Sequence, residues 1–473
     1  MGHHFTFQSG NGMGRFKVTL PGLIALGVFT LLSQVLQAQQ LRISTFSEQI
    51  TIPPGHRCMG ILPTRAVDVT DDLEARGIVI LGAESPVVLV SLDWCEVRNE
   101  SFDLWRDSLA AAAGTDRQHV LLSCIHQHDA PVTDDGAQRY LDEAGMPPHA
   151  LFDTQFQRDC IERVSMALRD SLQSRQVITH VATGAAPVEG VASSRRVVHP
   201  DGRVDYDRYS SSAGNEFMRN AADGPIDPMV RVVSFHAGDK VIASMFSYAT
   251  HPMSSYGKGH VSADFPGVAR RLLAENPSVG FCVYFSGCSG DVTAGKYNDG
   301  SASMRGILGE RLATGMQAAC HNARKEQVTS GSLQFRCESL SLPFIEDQEF
   351  HRDELLKELA SEDADEGKRI LAAMALSTRD RIEAKQPIDV PCVEIGSAVI
   401  LLLPGESFVG YQLDAQAMRP DRFVMCFGYG ECWPGYVPTR QAFDENFSHG
   451  WRWVSPDAPE EMQRCLRKLL AAE

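Results

Sequence analysis

The sequence predicts an α/β fold: one large domain in which a mixed, partly parallel β-sheet is flanked by helices, with a metal site at the strand ends. Three observations predict it. Apolar runs of strand length alternate with longer segments of helical spacing. No Gly/Ser-rich or Pro-rich linker divides the chain. Several of the apolar runs end in side chains able to bind a metal or carry out catalysis, and in α/β sheets such groups collect beyond the carboxyl ends of strands.

The strand-like runs are PVVLVSLDW (86–94), HVLLSCIH (119–126), KVIASMFSYATH (240–251), VGFCVYFSG (279–287), AVILLLPGE (398–406) and RFVMCFGYG (422–430). Each is rich in Val, Ile and Phe and too short for a globular helix. Helical spacing marks DTQFQRDCIERVSMALRDSLQSR (153–175), FPGVARRLLAENP (265–277) and the closing MQRCLRKLLAAE (462–473). The charged stretch 345–385 carries Leu and Ile at helical spacing and reads as a solvated helical excursion. No internal repeat is evident.

Composition narrows the class. Of 473 residues, 43% are hydrophobic and 22% charged, which excludes intrinsic disorder as the main state. Lys and Arg number 44 against 60 Asp and Glu, a net charge of −16 that repels phosphate backbones and excludes nucleic acid as a partner. Twelve Cys without a CxxC pair indicate neither a zinc ribbon nor a disulfide scaffold; Cys282 and Cys426, inside apolar runs, read as buried free thiols. A single apolar stretch, LPGLIALGVFTLLSQVL (20–36), follows Arg15 and Lys17 and precedes Ala38. It reads as a signal peptide over 1–38, with Met13 as an alternative start and a retained anchor helix as the other reading. The expectation is a secreted or periplasmic protein with its functional domain at 41–473.

The polar run-ends are where chemistry is expected. They are His126 and His128 in HQHDAP, His251 in THP, Asp291 and Thr293 in CSGDVTAG, Glu406 in PGE, and Tyr436 in ECWPGYVPT. Each alone has a plain structural reading: a hydrogen-bonded His, a turn, a buried Tyr. The repeated placement favours convergence. Residues two apart on a strand share a face, so His126 and His128 are expected to enter one cavity. Two imidazoles and a carboxylate, from His126, His251 and Glu406, make a set known for catalytic zinc. Neither an HExxH helix nor a GxSxG elbow is present.

With these motifs the sequence resembles the neutral/alkaline ceramidases. ITIPPG, HQHDAP, ATHPMS, SADFPG, GDVTAG, PGESF and GYVPT occur in that family's order over roughly 45 to 445. The resemblance implies a Zn2+ hydrolase cleaving N-acylsphingosine or a related lipid-like N-acyl substrate, with room for peripheral contact with a membrane. It implies His126, His251, Glu406 and Tyr436 as zinc ligands, His128 beside the metal assisting catalysis, and Arg195 of SRR contacting substrate. The acid of the SGD-like segment falls on Asp264 and reads as structural. Two departures bear on the reaction. Thr293 and Ala294 replace the family's Ser-Pro, which leaves a secondary, stiffer hydroxyl to act on the amide. The family's C-terminal β-sandwich is not expected. A metallohydrolase acting on an ester or phosphoester, and a non-catalytic secreted binding protein, remain open beside this reading, as does the oligomeric state.

Overall fold

The computed structural model describes Met1 and residues 40–59, 64–82 and 84–471. Apart from Met1, the segment read as a signal peptide (1–38) lies outside the described residues. Among the described residues no helix is long and apolar enough to cross a membrane.

Three units of identical strand order frame the molecule. The first contains β1 (Arg42–Gln49), β2 (Glu74–Leu81), β3 (Val87–Leu92) and β4 (Val120–Cys124). β1–β2 and β2–β3 pair antiparallel, and β3–β4 pair parallel. A parallel return needs a crossover, here the helix α1 (Asn99–Ala113). The second unit repeats this with β5 (His180–Pro187), β6 (Met229–Ala237), β7 (Lys240–Tyr248), the helix α2 (Asp264–Leu272) and β8 (Phe281–Ser286). The third does so with β9 (Leu333–Leu340), β10 (Ile388–Ile395), β11 (Ala398–Leu402), the helix α3 (Val409–Met418) and β12 (Phe423–Phe427). The six apolar runs read from the sequence are the parallel pairs of these units. The mixed, partly parallel arrangement is as expected, but it is divided among three sheets, and the repeat is one of topology that the sequence does not display.

Burial on both faces explains why those runs are apolar nearly throughout. In β3, Val88, Val90 and Leu92 pack outward under the helices, while Val87 and Leu89 point inward. In β12, Val424 and Cys426 face outward and Met425 and Phe427 inward. The inward residues of all three sheets form one central cluster, where Phe285 and Phe427 stack at 3.8 Å between ring centres.

The stretch 345–385 departs from its expected role. It forms helices Arg352–Ala360 and Glu366–Glu383, but the second buries Ile370, Met374 and Leu376. Its Ser377 and Thr378 hydroxyls bond Asp134 and Asn99. It is part of the packed body rather than a solvated excursion. All twelve Cys are free and ten are buried, including Cys282 and Cys426.

The central stack is open to test. Phe427→Ala opens a cavity in fully buried apolar surroundings and is expected to cost about 3–5 kcal/mol in urea unfolding. A loss below about 1 kcal/mol would mean that the three sheets do not depend on this contact.

Candidate metal centre

Each unit ends in the same device. The chain leaving the third strand pairs in parallel with the chain leaving the fourth. In the first unit Glu96–Val97 pairs with Val132–Thr133, and in the third Glu406–Ser407 pairs with Tyr436–Val437. In the second, His251 is bridged to Thr293. Glu96, His251 and Glu406 are therefore counterparts, and so are Val132, Thr293 and Tyr436. This places four of the residues picked from sequence on two adjoining pairs.

His126 arrives differently. β4 stops at Cys124, and His126 has a left-handed backbone with φ 67°. The expected strand pleat therefore does not bring His126 and His128 together; a turn does, and their Nε2 atoms lie 3.2 Å apart. The turn is held by the His126 amide donating to the Trp94 carbonyl at 3.0 Å.

His126, His251 and Glu406 converge with one donor atom each, all within 4.8 Å of one another and all buried. Glu406 Oε2 is 2.9 Å from His251 Nε2 and 3.4 Å from His126 Nε2. The opposite ring nitrogens face the backbone. His251 Nδ1 donates to the Ser289 carbonyl at 2.6 Å, and His126 Nδ1 to the Cys95 carbonyl at 3.1 Å. These bonds hold the rings with both Nε2 atoms facing the carboxylate, the second-sphere pattern of metal-binding histidines. The donor set fits a divalent cation. Gly290 permits this packing, since a Cβ there would lie 2.1 Å from the Glu406 carbonyl oxygen.

Burial, helped by Arg195, lowers the His251 pKa to about 4, so the ring is neutral and ready to coordinate. Burial also disfavours charge on Glu406 and on His126, but their mutual contact outweighs it, holding Glu406 well below the usual carboxylate range and raising His126. A cation held there would have to displace the proton that Glu406 favours on His126. An overlapping group of Cys95, His126 and His128 is also within reach of one ion. Burial pushes the Cys95 thiol far up, with Glu96 adding to the effect, so without a cation it stays protonated.

The remaining residues picked from sequence surround this cluster. His128 is buried, its Nδ1 makes no hydrogen bond, and burial followed by His126 and His251 keeps it neutral. Arg195 NH1 donates to the Tyr436 hydroxyl at 3.0 Å. Its amide is fixed to the Asp291 carbonyl, and Ser193–Ser194 pairs with Val292–Thr293. Thr293 neighbours His251, but its hydroxyl donates to the Tyr209 carbonyl at 3.1 Å. Asp264 accepts from the Ser254 amide and hydroxyl, holding the loop that follows His251.

Three participants were not picked out from sequence. Tyr429 stacks on His126 at 4.3 Å, and its hydroxyl bonds Ser289, whose carbonyl holds His251. Glu96 lies 3.8 Å behind the His126 ring. His449 is exposed, with its ring 4.6 Å from that of Tyr436. Only Tyr429 had a usable signal: it sits two residues past its strand, as His126 does.

Comparison with solved structures finds matches that cover nearly all of this chain and about three quarters of the matched chains. The neutral ceramidase of Pseudomonas aeruginosa aligns over 92% of this chain and 74% of its own, with TM-score 0.66 and 15% identity. A ceramidase complexed with C2 aligns over 92% of this chain and 75% of its own, with TM-score 0.65 and 16% identity. The chain has the neutral ceramidase fold. No family model and no curated protein matches the sequence.

Substitution distinguishes ligands from neighbours. His251→Ala and His126→Ala are expected to abolish stoichiometric metal binding, whereas His128→Asn keeps it. Metal analysis of the purified variants decides; a full equivalent of metal in either alanine variant sinks the ligand set.

Proposed function

We propose that the protein is a zinc-dependent, exported hydrolase that cleaves the amide bond of N-acylsphingosine or a related lipid-like N-acyl substrate, with residues 41–473 as its catalytic domain. The observation that carries this reading is the buried His126–His251–Glu406 cluster with Tyr436 and Arg195 beside it, in a fold shared with ceramidases. Zinc held by these three residues and Tyr436 would supply Lewis acidity and a water acidic enough to react near neutral pH.

The protein's own residues account for the other requirements of amide cleavage. His128, neutral and without a partner at Nδ1, can take a proton at the cluster and return it to the leaving nitrogen. Arg195, held against the Tyr436 hydroxyl near Glu406, places a guanidinium suited to the negative charge that grows on a carbonyl oxygen. Burial excludes bulk water from all of them and strengthens these interactions. Tyr256, 37% exposed and 5.2 Å from the His128 ring, marks the solvent side, where a substrate approaches. For Thr293 to donate to the amide, its hydroxyl must give up the Tyr209 carbonyl.

A panel of N-acyl amides, esters and phosphoesters tests the reading on zinc-loaded protein with chelator controls. Hydrolysis of a long-chain N-acyl amide, abolished by chelation and restored by zinc, is expected; turnover of phosphoesters alone would move the assignment to another bond. His128→Asn should lower kcat by about 10²–10⁴-fold with zinc retained. An unchanged kcat would make this histidine structural.

Thr293→Ser should stay active and Thr293→Val should not, if the hydroxyl reaches substrate. Equal kcat/KM for the threonine and valine enzymes would confine it to holding the Tyr209 loop.

A further inference from the structure

The first unit carries a carboxylate where the other two carry members of the metal cluster. Glu96 pairs with Val132 as Glu406 pairs with Tyr436 and as His251 bridges Thr293. It does not reach the centre of the cluster. Instead its Oε1 lies 3.8 Å from His126 Nδ1, the ring nitrogen turned away from Glu406.

Its surroundings hold it there. Glu96 and Arg98 are both fully buried and pair at 3.1 Å. Trp451 Nε1 donates to Glu96 Oε1 at 2.9 Å. Arg98 donates to the Trp433 carbonyl at 2.9 Å and lies against the rings of Trp453 and Trp451 at 4.1 and 5.0 Å. An ion pair in such a place is expensive in desolvation, and apolar residues of the same size would often fold as well. That makes a role for the charge itself worth seeking.

His126 supplies that role. Its Nδ1–H is spent on the Cys95 carbonyl, so its metal-facing atom is Nε2. A fixed negative charge behind the Nδ1–H favours positive charge on the ring and so strengthens Nε2 as a donor. We infer that Glu96 is a positioning residue for the proposed metal site, tuning and orienting the ligand His126 from behind without touching the cation. The inference rests on the metal-site reading given above.

The competing explanation is that Glu96 serves only as the counter-ion of Arg98. Zinc affinity, measured by chelator competition on variants whose fold is checked by near-UV circular dichroism, separates the two. Glu96→Gln is expected to weaken zinc binding by about 10–100-fold. The paired change Glu96→Leu with Arg98→Met removes both buried charges together; it provides the same measurement should the single variant fail to fold, and the same weakening is expected. Trp451→Phe loosens the same cluster but keeps the carboxylate, and should bind zinc at wild-type strength. Wild-type affinity in folded Glu96 variants would overturn the inference. So would an equal loss in Trp451→Phe, which would assign the effect to packing. Wild-type protein that binds no zinc would instead overturn the metal-site reading, leaving the two failures distinguishable.

Discussion

The ends of β4, β8 and β12 meet in one set of hydrogen bonds, and the site depends on that meeting. The Cys124 amide donates to the Tyr429 carbonyl at 3.1 Å, and the Gly428 amide to the Ser286 carbonyl at 2.9 Å. The Ser286 hydroxyl donates to the Ile125 carbonyl at 2.7 Å. Strands that end inside a protein leave backbone groups without ladder partners, and an unpaired buried amide costs on the order of 1–3 kcal/mol. Here each unit's strand end satisfies another's. The closure fixes where the chain emerges, two residues before His126 and Tyr429, and both then turn through left-handed backbone. Such conformations cost of order 1 kcal/mol for non-glycine residues and persist where neighbours over-determine them. The stacked His126 and Tyr429 rings, each tied at its polar end, supply that constraint.

What the sequence made legible follows from the same geometry. The six strands of the parallel pairs were readable because burial on both faces demands continuous apolar runs. His251, Glu406 and Tyr436 were readable because they fall at the ends of those runs, where the chain leaves the sheet. The threefold repeat was not readable. Its equivalent positions hold Glu96, His251 and Glu406 in one set and Val132, Thr293 and Tyr436 in another, so backbone pairing recurs without residue identity. The joint approach of His126 and His128 was expected for the wrong reason, since the apolar run continues to His126 while the strand stops at Cys124. The charged stretch 345–385 misled because its many charged residues suggest a solvated surface, whereas Ile370, Met374 and Leu376, with the Ala residues between them, turn one side of the second helix into the packed body.

Electrostatics at the centre is a balance among buried groups rather than a response to solvent. Glu406 lies against two imidazoles and Arg195 against a tyrosine hydroxyl, and Glu96 and Arg98 pair behind them. None of these is more than slightly exposed. Charges so placed interact strongly and are screened little by salt. Removing one therefore leaves its partner uncompensated, which is why substitutions here are informative only when fold and metal content are measured together.

The three units contribute unequally, and the inequality separates scaffold from selectivity. Strand ends supply His126, His251, Glu406 and Tyr436. The groups around them come from connections of differing length: Arg195 and Tyr209 from the segment between β5 and β6, Tyr256 from the loop between β7 and α2, and His449 from the chain beyond β12. Connections tolerate change that strands buried on both faces do not. Only continuous apolar runs and a few turn positions need persist for the strands to close and the cluster to form. An identity of 15% across 92% of the chain, with the fold intact, is what that division of constraint allows. The position of the cluster is thus written into the closure of the sheets, and its surroundings into the loops laid over it.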